Sequence, residues 1–140
     1  MDLWELSARE AIRDTIARYN HAGDRGRFDD MVHCFTPAGE LIVVGGETHR
    51  GHDALTRFFS GVGPAAPGFT HLRHCVTNVL IDVASPQAAT AASYFEVITD
   101  IGLDHWGRYR DRLEPVGDRW LLATRSVKTD GYAANSYFAP

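Results

Sequence analysis

The strongest constraint on this chain is a change of period. Up to about residue 60, apolar residues recur three and four apart. From Phe69 onward they alternate, in runs over roughly 70–83, 88–101, 106–116 and 119–130. Side chains three or four apart share a helix face and those two apart share a strand face, so the first part reads as helices and the second as sheet. The separators Ala84-Ser85-Pro86-Gln87, Gly102-Leu103-Asp104 and Gly117-Asp118 are short enough for hairpins, which predicts that consecutive strands pair as a meander. Helices followed by strands make an α+β fold, with N-terminal helices packed in a curved, mainly antiparallel sheet.

Local chemistry places the helix ends. Ser7-Ala8-Arg9-Glu10 has the form of a capping box, so the first helix is expected to start at Ser7. Ala8, Ile12, Thr15, Ile16 and Tyr19 form its apolar face, and Gly23 and Gly26 leave Asp24 at its end. Phe28, Met31, Val32 and Phe35 mark a second short helix, stopped by Thr36-Pro37 because proline disfavours helical geometry in the preceding residue. Glu40 to Val44 reads as a strand with a Gly45-Gly46 turn, and Gly51 to Ser60 as a third helix carrying Phe58 and Phe59. Gly61 to Gly68 is rich in glycine and proline and reads as a loop and candidate lid. The aromatic tail from Tyr132, with Tyr137 and Phe138, is expected to pack over the body of the domain.

At 140 residues the chain fits one domain, 1–140, large enough to bury a core without disulfide staples. Its formal charge of −4 leaves no surplus of lysine and arginine for a nucleic-acid footprint. No apolar run approaches the roughly 18 residues of a membrane span. Cys34 and Cys75 lie in no dense cysteine framework and read as small apolar packers, and the N-terminal residues are not signal-like, so the expected address is cytoplasmic. His49 with His52, and His71 with His74, have metal-like gaps but no convincing third ligand, so no metal site is expected.

Some polar residues fit poorly into these apolar patterns. His74 sits in a strand whose alternation puts it with Val76, Asn78 and Leu80, opposite Cys75, Thr77, Val79 and Ile81. In the third long strand Tyr109, Asp111 and Leu113 face away from Arg108, Arg110 and Arg112. In the last strand Arg125 shares a face with Leu121, Ala123 and Val127. A buried charge must be paired or solvated, so Asp111 and Arg125 either neutralise one another or face a polar cavity.

These segments carry a resemblance. Ala11-Ile12-Arg13-Asp14 with Tyr19 and Asp24, Arg50-Gly51-His52-Asp53-Ala54-Leu55, His74 with Asn78, Gly107-Arg108-Tyr109-Arg110-Asp111, and Trp120 followed by Arg125 cover nearly the whole chain. In these the chain resembles the SnoaL-like branch of the nuclear transport factor two superfamily, a cone-shaped α+β domain with a deep pocket. Scytalone dehydratase, hexachlorocyclohexane dehydrochlorinase and bile-acid dehydratases of that superfamily pair an aspartate at the end of the first helix with a strand histidine. The resemblance implies that Asp24 and His74 are that pair, that Arg125 assists the leaving group, and that Tyr19 is a pocket tyrosine. It implies no cofactor, and a homodimer or homotrimer formed through the open sheet face. The first-strand acid of the ketosteroid isomerases has no counterpart, since Ile42, Val43 and Val44 occupy that stretch.

The chemistry suits such residues. A free imidazole titrates near pH 6.5, so a neutral His74 can take a proton alpha to a carbonyl while Asp24 fixes its tautomer. Donors such as Tyr19 and Arg125 would stabilise the oxyanion or leaving group. Asn78, Phe58, Phe59, Trp106 and Tyr137 are the candidate substrate contacts. The expected activity is a cofactor-independent dehydratase-type lyase acting on a small hydrophobic polycyclic, polyketide or steroid-like molecule. The alternatives are a cyclase or isomerase using the same base, and a non-catalytic ligand-binding or oxygenase small-subunit-like module, which requires a filled or narrow pocket. Structural roles compete at each position: an Arg125–Asp111 ion pair, a core Tyr19, a satisfied strand histidine.

Overall fold

The computed structural model describes residues 1–62 and 68–140, so most of the expected loop and lid, 63–67, lies outside the described residues. The chain runs α1 (Leu3–Asp24), α2 (Phe28–Val32), β1 (Phe35–Val43), β2 (Thr48–Arg50), α3 (His52–Gly61), β3 (Leu72–Ser85), β4 (Ala88–Thr99), β5 (Gly102–Val116) and β6 (Arg119–Tyr132). The strands form a six-stranded sheet in the order β2-β1-β6-β5-β4-β3. The last four strands are the expected meander, while β1 joins β6 in parallel and makes the sheet mixed. The N-terminal helices pack on one side of this sheet, as the α+β reading requires. Ile12, Ile16, Phe35, Leu55, Leu113 and Leu122 are buried between the layers, and the buried Thr15 hydroxyl of α1 donates to the Trp120 carbonyl of β6 at 2.5 Å. No helix among the described residues is long and apolar enough to cross a membrane.

Several boundaries differ from the sequence reading. Helix α1 starts at Leu3, with Asp2 at its N-cap, and Ser7 is an exposed residue inside it rather than a cap. Leu3, Glu5 and Leu6 are good helix formers with no breaker among them, and the added turn supplies Glu5, which pairs with Arg9 at 2.9 Å. Phe35 is not the end of α2: it opens β1 opposite Leu122. Pro37 is tolerated there because the β1–β6 register shifts between Phe35 and Glu40, where no ladder bond needs its missing N–H. Strand β2 is too short to have a period of its own, and pairs with β1 through Glu40 opposite Arg50.

Bulges break the alternation of the long strands. Asn78 has φ 53°, a left-handed conformation, where the β3–β4 register shifts between Thr77 and Leu80. Beyond it Val79, Ile81 and Val83 turn inward, while Asn78 is exposed and Leu80 is 73% exposed. The expected face of His74, Val76, Asn78 and Leu80 therefore holds only as far as Val76. In β6 Leu122 lies opposite Leu113 but Arg125 opposite Asp111, so the strand changes face between them. Cys34 is buried as expected, whereas Cys75 is exposed.

Candidate active site

A cavity of about 670 Å³ opens between the helices and the concave face of the sheet. Tyr19 and Asp24 of α1, Phe58 and Phe59 of α3, and His74 of β3 all line it. Each arrives there for a local reason. Gly26, at φ +68°, ends α1 by turning the Arg27 N–H back onto the Ala22 carbonyl at 2.9 Å, which leaves Asp24 on the last helical turn. Strand β3 is the last in the sheet order, so its outer edge has no strand partner. Asp24 takes that place: Oδ2 accepts the His74 backbone N–H at 3.0 Å, and Oδ1 lies 2.5 Å from the ring Nδ1. With the proton on Nδ1 facing the carboxylate, Nε2 is the nitrogen left to act as acceptor.

Tyr19 is 6% exposed and its hydroxyl is pushed up to about 12, mainly by burial and against the pull of Arg125. It stays protonated at neutral pH and can serve as a donor. Arg125 does not line the cavity. It is fully buried, paired with Asp111 through Nε–Oδ1 and Nη2–Oδ2 bonds of 2.8 Å each. Its guanidinium carbon lies 4.4 Å from the Tyr19 ring centre and 3.8 Å from that of Tyr109. Burial acts to lower the Arg125 pKa, but Asp111 overcomes it and holds the guanidinium more basic than usual. The expectation that Arg125 meets a leaving group is corrected accordingly: Tyr19 and Tyr109 line the cavity, whereas Arg125 does not and packs its guanidinium against their rings.

Other expected contacts are also displaced. Asn78 is carried out of the cavity by the bulge it forms. The Trp106 indole lies against Gly131, where a Cβ would come within 2.4 Å of the ring, and it is 37% exposed outside the cavity. Tyr137 packs on Phe69 with ring centres 5.7 Å apart, and Tyr132 and Phe138 line the cavity in its place. His49 packs on Phe58, while His52 Nε2 meets the Phe35 and Thr36 carbonyls, so the two do not converge. Among the described residues no three His, Cys, Asp or Glu side chains are grouped to hold a metal ion.

The sequence reading missed a second aspartate–histidine pair. Asp104 falls in the expected Gly102-Leu103-Asp104 turn, but β5 begins at Gly102 and buries Asp104 completely. Its carboxylate accepts from His105 Nδ1 at 2.8 Å, Thr99 Oγ1 at 3.0 Å, the Tyr137 N–H at 2.9 Å and the Ser136 hydroxyl. The tail is thereby tied down, and Phe138 reaches the cavity beside His105. The available signal was the acid adjoining a histidine, obscured because the β4–β5 register shifts at that point.

Burial tends to raise the Asp104 carboxyl, but Ser136, His105, Tyr137 and Thr99 together hold it below the usual range. Burial also pushes the His105 imidazole down, against the pull of Asp104. Both pKa values are thus lower folded than unfolded. The unfolded chain binds more protons, and the stability these groups contribute is present above their unfolded pKa values and lost as pH falls through the folded ones. For His105 the loss begins below about pH 6.5. Thermal melts between about pH 7 and pH 5 should therefore show a falling Tm in the wild type and a shallower fall in His105→Gln; equal slopes would remove His105 as the source.

The profile of the SnoaL-like domain matches residues 4–126. A hexachlorocyclohexane dehydrochlorinase, LinA type 2, superposes with a TM-score of 0.79 at 17% identity, covering 100% of this chain and 98% of its own. A candidate scytalone dehydratase from Novosphingobium aromaticivorans gives 0.80 at 20% identity, covering 99% and 96%. A protein of unknown function from Mycobacterium tuberculosis gives 0.72 at 26% identity, covering 92% and 75%. No curated protein matches the chain. With the profile spanning nearly the whole sequence and the cone architecture in place, the chain belongs to the SnoaL-like domain family.

Proposed function

We propose that the protein is a cofactor-independent, dehydratase-type lyase acting on a small hydrophobic polycyclic, polyketide or steroid-like substrate. The observation that carries this reading is the Asp24–His74 pair, 2.5 Å apart in the wall of a largely aromatic cavity. His74 Nε2 takes a proton from the carbon alpha to a carbonyl, and the C–H electron pair passes into an enolate. Tyr19, held protonated, donates to the enolate oxygen. Collapse of the enolate expels the hydroxyl from the beta carbon, and the imidazolium returns its proton to that oxygen, giving an alkene and one water. Asp24 fixes the tautomer and stabilises the imidazolium. His105, neutral with Nδ1–H committed to Asp104, accepts from a substrate hydroxyl and orients it.

A non-catalytic module calls for a filled or narrow pocket, and about 670 Å³ is within the range that holds a small multi-ring ligand. Incubation with a panel of fused-ring β-hydroxy ketones, followed by mass spectrometry, tests the reaction class. Loss of one water from a panel member is expected. Rearrangement without loss of mass would replace the lyase reading by an isomerase or cyclase one.

A further inference from the structure

The Asp24–His74 pair borders more than the aromatic cavity. A second cavity of about 710 Å³, between α1 and the free edge of β3, shares Asn20, Asp24, Arg73 and His74 with the first. Ile16, Ala17, Val76 and Val79 give it an apolar wall like that of the first, and what distinguishes it is a group of cationic side chains. Arg13, Arg25 and Arg73 line it together with His21, and none of the three arginines has an acidic partner among the described residues. The carboxylate in the lining, Asp24, is taken on both oxygens by His74. Arg73 gives one Nη1 bond, at 2.8 Å, to its neighbour's carbonyl, and the rest of its fork is free.

Asn20 stands where the cavities meet. It is 6% exposed, and its Oδ1 accepts the Tyr109 hydroxyl at 3.3 Å, which sets the orientation of the amide. Its Nδ2 is buried and has no partner. A buried donor without an acceptor is rare and unfavourable, and one at the wall of a basic cavity is suited to an incoming oxygen. Guanidinium forks match planar or tetrahedral oxyanions by paired hydrogen bonds.

We infer that the basic cavity binds an oxyanionic substituent, a carboxylate or phosphate group, of the same molecule whose apolar rings fill the aromatic cavity, with Arg13, Arg25 and Arg73 as its recognition residues and Asn20 donating at the junction. The substrate is then amphiphilic. Its rings and anion lie on either side of the carbon presented to His74. The inference rests on the lyase reading for the location of that carbon, but binding by the arginines is measurable without turnover.

The test is calorimetric titration with naphthoate, naphthyl phosphate and the neutral methyl naphthoate. The proteins are the wild type, an Arg13→Gln/Arg25→Gln double variant, whose two positions line only the second cavity, and His74→Gln, each checked for folding by circular dichroism. At least one anion should bind the wild type about tenfold or more tightly than the ester. The anion that wins distinguishes carboxylate from phosphate recognition. The preference should shrink to near unity in the double variant while affinity for the ester is unchanged, and should weaken in high salt. Since these arginines are exposed side chains, the fold is expected to survive, and Arg73→Gln, at a position that borders both cavities, gives an independent variant in which the anion preference should also fall. Equal affinities for anion and ester in the wild type, or a preference that survives removal of the arginines, overturns the inference. His74→Gln separates the two readings, because it should keep the anion preference while losing turnover. A wild type that prefers anions but dehydrates no panel compound would count against the lyase reading and leave the anion site standing.

Discussion

Replacing His74 by glutamine is expected to lower kcat by about three orders of magnitude on whichever panel compound is dehydrated, with little change in KM, since a positioned general base contributes roughly 10²–10⁴. Glutamine keeps much of the side-chain volume and its hydrogen-bonding capacity toward Asp24, but has no nitrogen that can hold a proton during turnover. The expected split between kcat and KM separates loss of the base from collapse of the cavity, which would raise both KM and disorder. Asp24→Asn is the complementary change. Its amide can donate to Nδ1, which would leave the proton on Nε2 and make the ring a donor where an acceptor is required; a loss on the order of a hundredfold or more is expected. Because Asp24 also holds the His74 backbone N–H at 3.0 Å, the asparagine variant retains an acceptor there when its oxygen faces the strand, and melts should separate its stability from its activity. His74→Gln with turnover within about tenfold of wild type would remove the pair from the mechanism.

Arg125→Met should destabilise the fold by about 3–5 kcal/mol, the cost of leaving the partner of a buried ion pair uncompensated. Asp111 is 3% exposed and receives both of its side-chain hydrogen bonds from Arg125. Both side chains are sealed from solvent. A drop in Tm of about 10–17 °C follows for a domain of this size. Pairing the change with Asp111→Leu removes both charges and should restore much of the loss, because apolar replacement of a whole buried pair is often neutral. Denaturant melts of the two singles and the double give the coupling directly. If Arg125→Met costs less than about 1 kcal/mol, the pair is not the structural element that its burial indicates. Turnover by the folded Arg125→Met protein should fall through a looser Tyr19, since the guanidinium sits 4.4 Å from that ring.

Much of the fold was legible in the chain because periodicity reports faces directly. The α3 helix, the four long strands and their hairpins fall within a few residues of where spacing and turn residues put them. Misread boundaries have specific causes. Ser7-Ala8-Arg9-Glu10 satisfies the capping-box pattern, but the residues before it are also good helix formers, and α1 continues through them to Leu3. Phe35 continues the helical spacing of Phe28, Met31 and Val32, yet its pairing with Leu122, distant in sequence, outweighs local preference. Face assignments fail at bulges. Asn78 is of a type that adopts a left-handed backbone more readily than most, but a lone asparagine between Thr77 and Val79 does not fix a bulge, and one inserted residue reverses every assignment after it.

The candidate site divides along the same line. Asp24 at a helix end and His74 in a strand were visible as residues out of keeping with their pattern, while Tyr19 fitted the apolar face of its helix, and the family resemblance supplied the expectation that the three meet. Sequence alone set the secondary-structure order, the α+β class and the identity of those residues, because each depends on interactions within a few positions along the chain. Tertiary structure decided which polar groups share a cavity and which are sealed away. Arg125 could have faced a substrate or an acid, and only the Asp111 opposite it in β5 closed that choice. Asp104 and His105 entered the site through a register shift, and the arginines of α1 and β3 came together only where a helix passes a free sheet edge. Such juxtapositions join residues far apart in the chain, and no local period encodes the distance between them.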